Sequence, residues 1–319
     1  MAGYWVLREI MHLGGSLARV LGFFYLPLAA ALTAWNFPYH LDESIHRART
    51  APPAMIDKGK EFYDAAYVDN PVDSAYIDVE KSAATMMSVK ENLARVVKKY
   101  GMSGKKALEV GSGTGQLQDI VEDYTGLDLS SAVRRYYHKP FVAASATDMP
   151  FPDNSFDAMW SIWVLEHIPE PERALQEMRR VLKPGGVIFL APAWHCGEFL
   201  SEGYPFRPYS DFGLGGKLIK ASVPIRQHPL FEALHWYPTR AIRLASTAIQ
   251  GTPSRFRFRR LDANYKKFWG PDSDAAVQLD RFETQLWFKT RGDVCLSCGS
   301  TREELLDLSY EGLVIRKAK

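Results

Sequence analysis

A short apolar run, Ala107–Val110, opens directly onto three glycines at alternate positions, Gly111, Gly113 and Gly115. A buried strand followed at once by such a turn commits the chain to a narrow set of strand–turn–helix folds. Glycine tolerates the tight turn and lets a ligand approach the main chain closely. The residues from Gln116 to Glu122 are expected to open a helix. Asp128 then appears in Gly126-Leu127-Asp128-Leu129-Ser130. A carboxylate at the end of a second strand is placed to accept hydrogen bonds from ribose hydroxyls. Gln116 stands where a dinucleotide-binding turn would put its third glycine, which favours a nucleoside without a pyrophosphate and opposes a nicotinamide oxidoreductase.

The pattern continues downstream. Phe141–Ala144 reads as a third strand, Ala158–Val164 as a fourth and Val187–Leu190 as a fifth. Between the last two, Glu172–Leu182 carries Ala174, Leu175, Met178, Val181 and Leu182 on one helical face, and Lys183-Pro184-Gly185-Gly186 stops it. Short apolar strands alternating with helices predict a parallel α/β sheet. A further helix is expected over Val89–Lys99 and another over Tyr237–Gln250, with strands at Phe256–Leu261 and Gly312–Lys317. The alternation of Arg255-Phe256-Arg257-Phe258-Arg259-Arg260 suits a strand with one solvated face better than a nucleic-acid contact. A formal net charge of +2 in 319 residues likewise gives no electrostatic reason to expect nucleic acid.

The motifs Glu109-Val110-Gly111-Ser112-Gly113-Thr114-Gly115, Gly126-Leu127-Asp128-Leu129-Ser130, Met149-Pro150-Phe151-Pro152-Asp153-Asn154-Ser155-Phe156-Asp157 and Leu182-Lys183-Pro184-Gly185-Gly186 together resemble class I S-adenosylmethionine-dependent methyltransferases. Within that class they are most similar to the branch containing ubiquinone and menaquinone biosynthesis enzymes. The resemblance covers residues 105–192. It implies an α/β, Rossmann-like, mostly parallel sheet with helices on both faces, and S-adenosyl-L-methionine as cofactor. It also implies that Glu109 and Gly111 lie by the methionine part and that Asp128 binds the ribose. Ser145 and Ala146 fall where the family often presents an acid or amide followed by alanine to the adenine. The carboxylate or amide is missing here, so Ser145 or Asp148 would have to supply that contact. Trp163 is placed to face the sulfonium as a cation–π partner, or to pack in the core.

Methyl transfer from a sulfonium is a direct displacement, for which orientation of the reactants supplies about 7–11 kcal/mol. A general base is needed only when the acceptor loses a proton. His167, just after the fourth strand at the ligand edge of the sheet, is the candidate base; the other reading is a histidine that orders a helix start. His195 is a weaker candidate. No metal site is expected. Cys295 and Cys298 lack two further zinc ligands, with only Cys196 remaining, so all three read as structural thiols in a reducing compartment.

Residues 1–50 are apolar and aromatic, and Val20–Trp35 is a 16-residue run without charge. Pro27 interrupts it, and a span needs about 20 apolar residues. It is expected to span, to lie in the plane of a membrane, or to dock on the protein's own core. Residues 51–104 read as a helical cap or linker and 105–319 as the catalytic domain with C-terminal insertions, carrying a lid over 193–235 and an insertion over 262–310. The expected location is cytoplasmic, peripheral to or anchored at the cytoplasmic face of a membrane through residues 1–50. The expected reaction is methyl transfer to a small apolar acceptor such as a quinol, isoprenoid or lipid. The alternatives are a soluble natural-product O- or N-methyltransferase, or a lapsed cofactor-binding protein that acts through partners.

Overall fold

The computed structural model describes residues 53–68, 74–250 and 253–319, together with Pro27. Apart from Pro27, the run Val20–Trp35 and the rest of residues 1–50 therefore lie outside the described residues. Three helices lead in: α1 (Pro53–Ala66), α2 (Ser74–Met86) and α3 (Val89–Lys99). Strands β1 (Ala107–Val110), β2 (Tyr124–Asp128), β3 (Phe141–Ala143), β4 (Phe156–Ile162) and β5 (Leu182–Ala191) follow, with α4 (Pro171–Val181) between the last two. These five strands run parallel in the order β3-β2-β1-β4-β5. The order reverses between β1 and β4, and ligands in open α/β sheets bind in the crevice at such a switch point.

Alternation along the strands fills both faces. Leu108, Val110, Met159 and Ile188 pack with Leu175 and Met178 of α4 on one side. Ala107, Ala158 and Trp160 pack with Leu93 and Val97 of α3 on the other. Helices on both faces of a parallel sheet leave its central strands fully buried, as the unbroken burial of β1 shows.

Beyond β5 come α5 (Leu214–Arg226), α6 (Pro229–Gln250), β6 (Arg259–Arg260), β7 (Val277–Gln278), α7 (Arg281–Lys289), β8 (Val294–Cys295), α8 (Thr301–Leu306) and β9 (Leu313–Arg316). β9 pairs antiparallel with β5, and β8 pairs antiparallel with β9, completing a seven-stranded sheet.

Three sequence expectations are corrected. The helix expected after Gly115 is a run of turns, because Gly115, Leu117 and Gln118 are drawn into short local bonds such as Gln118 N–H to Gly115 O at 3.2 Å. The strand expected over Phe256–Leu261 shrinks to Arg259–Arg260 and pairs with β7 in a separate two-stranded sheet. Phe256 and Phe258 instead stack on each other at 6.1 Å, with Phe256 buried. Cys295 and Cys298 are joined in a disulfide, with Cα atoms 5.6 Å apart, rather than being free thiols. Cys196 is free and buried.

Trp287 ties the late segment to the sheet. Its fully buried indole joins the same cluster as Leu175, and its N–H donates to Glu172 Oε1 of α4 at 2.9 Å. Trp287→Ala is therefore expected to cost about 3–5 kcal/mol, read as a lower urea midpoint at unchanged slope.

Candidate functional site

The ends of β1, β2 and β4 converge on a cavity of about 180 Å³. Gly111, Gly113, Asp128, Ser145, Ala146, Trp163 and His167 all line it. The sequence thus brought most of its candidate residues to one place. Gly111 sits at φ 72°, and a Cβ there would lie 2.3 Å from Val164 Cγ2, so only glycine fits. Asp128 Oδ2 accepts the Gly113 N–H at 2.9 Å and Oδ1 accepts the Ser130 N–H at 3.0 Å. The carboxylate that was expected to meet ribose hydroxyls thus also holds the glycine turn while lining the cavity. Burial raises the Asp128 pKa above the usual carboxylate value, against the lowering effect of those N–H bonds.

Three candidates lie off this cavity. Glu109 is buried and accepts the Tyr124 hydroxyl. Gly115 packs beside Gln118 and Tyr137. Asp148 is exposed. Ser145 lines the cavity, but its hydroxyl is already 2.8 Å from Thr147 Oγ1 and accepts the Thr147 N–H at 3.2 Å.

The polar wall of the cavity is Asp128, Ser145 and glycine backbone, whereas Met55, Ile56, Leu127, Ile162 and Val164 supply an apolar wall. That combination fits a nucleoside, whose base needs apolar faces and whose sugar needs hydrogen-bond acceptors. Met55, Ile56 and Tyr63 come from α1, so the helix before the glycine motif closes the cavity from outside.

A second, larger cavity of about 660 Å³ adjoins the first. Tyr76, Trp163 and His167 line both. Its walls are largely aromatic, with Trp194, Phe199, Phe206, Phe231, Trp236 and Phe268. Trp163, His195 and Asp272 all line it with φ between 54° and 64°, in the left-handed region that bulky side chains avoid. Strained backbone of this kind clusters at ligand sites.

His167 stands at the junction. Its Nδ1 lies 3.3 Å from Asp274 Oδ2, close enough for an ion pair but too poorly aligned for a good hydrogen bond. Tyr63 donates its hydroxyl to the same Asp274 oxygen at 2.8 Å. Glu166 is fully buried, accepts the Ala193 N–H at 2.8 Å, and stands 4.0 Å from His167 Nε2. Burial works to lower the His167 pKa, but Asp274, Glu166 and Asp272 outweigh it and push the imidazole up to about 10. Asp274 itself falls below the usual carboxylate range, because His167 and Tyr63 override the effect of burial. Burial pushes Glu166 up to about 7. Glu166, His167 and Asp272 also bring three potential ligand atoms within 4.8 Å of one another, the spacing of a loose cation site.

His195 follows a different course. Burial drives its pKa down to about 4, so it is neutral, with its ring against Trp236 at 4.7 Å. Sequence reasoning missed Tyr63, Asp272 and Asp274. The available signal was the acidic pair in Gly270-Pro271-Asp272-Ser273-Asp274, which falls within the insertion expected over 262–310.

Gly111→Ala is expected to lose several kcal/mol of stability and the small cavity together, read by thermal melting and ligand calorimetry. The Asp274–His167 pair generates a second expectation. The His167 pKa is raised on folding, so its stabilisation is fully present below about pH 6.5 and lost as pH rises through about 10. The stability deficit of Asp274→Asn relative to wild type should therefore shrink between about pH 7 and 10 in urea titrations.

Residues 108–190 match the family model described as a methyltransferase domain. A demethylmenaquinone methyltransferase of Renibacterium salmoninarum is 36% identical over 44% of this chain and 63% of its own length. A ubiquinone/menaquinone biosynthesis C-methyltransferase of Chromobacterium violaceum is 29% identical over 43% of this chain and 62% of its own. A sterol 24-C-methyltransferase of Gibberella zeae is 28% identical over 45% of this chain and 51% of its own. The chain spans less than two thirds of the length of each of these relatives. The glycine turn, the β3-β2-β1-β4-β5 sheet and this match agree that residues 108–190 form a class I S-adenosylmethionine-dependent methyltransferase domain.

Proposed function

We propose that the chain transfers a methyl group from S-adenosyl-L-methionine to a small apolar acceptor. The observation that carries the proposal is the junction at Trp163 and His167, where a nucleoside-sized cavity with one polar and one apolar wall meets a larger aromatic one. The cofactor supplies an electrophilic methyl group on a sulfonium. In this reading Asp128 holds the ribose, the glycine turn admits the backbone side of the nucleoside, and Trp163 faces the cation. The aromatic cavity orients the acceptor and excludes water, which is the main demand of a direct displacement. The names of the relatives specify demethylmenaquinone, ubiquinone/menaquinone biosynthesis and sterol. A quinol, isoprenoid or lipid acceptor is the class that suits both those names and the aromatic walls.

His167 is the proton acceptor in this proposal when the acceptor is a hydroxyl. With its partner Asp274 the imidazole is protonated at neutral pH in the free protein. A positive charge in the adjoining cavity opposes that protonation and favours the neutral form that a base requires. Turnover should consequently rise with pH through the His167 titration. Asp274→Asn, which removes the group that raises His167, should move that limb to lower pH. His167→Ala should lower turnover about 100-fold or more with cofactor affinity nearly retained. A pH profile identical in wild type and Asp274→Asn would remove His167 from the proton path.

Cofactor binding has its own test. Asp128→Ala should weaken S-adenosylmethionine binding by about 1.5–3 kcal/mol in calorimetry, and NAD should not compete. Residues 1–50 are proposed to contact the cytoplasmic face of a membrane. Among the described residues no helix is long and apolar enough to cross one. Deleting residues 1–50 should release the protein from the membrane fraction while cofactor binding stays intact. A truncated chain that unfolds would show that this segment packs on its own domain.

A further inference from the structure

The two helices after β5 are built inside out. On α5, Leu214, Leu218, Ala221 and Ile225 are exposed, while Val223 is buried opposite them. At 100° per residue these four side chains fall within about 60° of one another. On α6, Ala241, Ile242, Ala245, Ala248 and Ile249 are all exposed. The exposure is large, 79% at Leu214, 68% at Ile242 and 85% at Ile249.

The charges of α6 point the other way. Arg240 is buried and donates to Asp280 at 2.9 Å, and Arg243 is buried and donates to Glu283 at 2.9 Å. A helix on the surface of a soluble protein normally places such groups outward and its isoleucines inward. Here the guanidinium groups are held on α7, and the aliphatic stripe is left bare.

We propose that the outward faces of α5 and α6 form a docking surface for an anionic lipid bilayer. The charge of the hairpin selects that occupant. Lys217 is exposed beside the α5 stripe, whereas Lys220 donates to the Tyr204 carbonyl and Arg226 lines the larger cavity. The hairpin's single acidic side chain, Glu232, is half-buried and lines the larger cavity. An apolar stripe flanked by lysine without carboxylates is the pattern of a helix lying in a membrane interface. A second copy docked on the same face would set like charges together with no exposed carboxylate on either helix to offset them. The same two helices wall the larger cavity on their other sides, through Ile219 of α5 and Phe231 and Trp236 of α6. Docking would bring its wall to the phase in which an apolar acceptor dissolves. The face is built from α5 and α6, and its test needs no methyl transfer.

The test uses the full chain, with a polarity-sensitive fluorophore on Ile242→Cys and, as a reference, on Arg302→Cys. Vesicles are phosphatidylcholine alone or with about 30% phosphatidylglycerol. The expected result is a blue shift at position 242 on anionic vesicles and none at 302. Leu218→Glu with Ile242→Glu should in addition lower co-sedimentation with anionic vesicles about 10-fold at an unchanged melting temperature. Three outcomes overturn the proposal. One is bound protein with no shift at 242, meaning that other residues carry the contact. Another is a label already blue-shifted without vesicles and unmoved by them, meaning that the chain covers its own face. The third is a wild-type dimer in light scattering that the two glutamates dissociate.

Discussion

Glu166 is the residue on which the rest of the site depends. Its carboxylate accepts the Ala193 N–H just after β5, and its backbone carbonyl accepts the Ala276 N–H just before β7, each at 2.8 Å. One fully buried residue thereby fastens the end of β4 to two later segments. The loop carrying Asp272 and Asp274 is held beside His167 by that second bond. Tyr63 of α1 holds the same segment from the other side through its bond to Asp274. The two cavities share a wall because these ties bring a segment more than a hundred residues downstream back to the switch point of the sheet.

The late segment joins the core through charge as well as apolar packing. Asp280 and Glu283 of α7 hold Arg240 and Arg243 of α6, and Asp280 also caps its own helix through the Phe282 N–H. Buried ion pairs bring little net stability after desolvation, yet losing one partner leaves a costly unpaired charge. What these pairs supply here is register. They permit one rotation of α6 about its axis, the one that turns arginine inward and Ile242 and Ile249 outward. The aromatic cavity wall formed by Phe231 and Trp236 is set by the same rotation.

The sequence made much of the smaller cavity's lining legible and hid the cluster around His167, for a physical reason. Gly111, Asp128 and Trp163 sit at the ends of β1, β2 and β4, neighbours in the sheet, so local pattern brings them to one cavity. His167 was legible for the same reason. Tyr63 and Asp274 meet across 211 residues, and nothing local in α1 or in the Gly270-Pro271-Asp272 stretch marks them as partners. The failed strand at Phe256–Leu261 shows the limit of period-two reasoning: its phenylalanines found each other before they found a sheet. The strand at Gly312–Lys317 succeeded, as Leu313–Arg316, because its apolar residues had the open edge of β5 to pair with.

The electrostatics of the junction follow from counting its groups. Asp274, Asp272 and Glu166 surround one imidazole, and all are buried or nearly so. His167 balances one carboxylate, and Asp274, the nearest, takes that role and stays ionised. The other two cannot both carry charge in so little water, so burial raises Asp272 and Glu166 above their ordinary values. The cluster is therefore richer in carboxylates than in cations and is relieved by protons or by positive charge nearby. An anionic acceptor would be repelled from the same spot. Asp272 and Asp274 line the larger cavity, so the balance disfavours an anion there and suits an uncharged molecule against the aromatic walls.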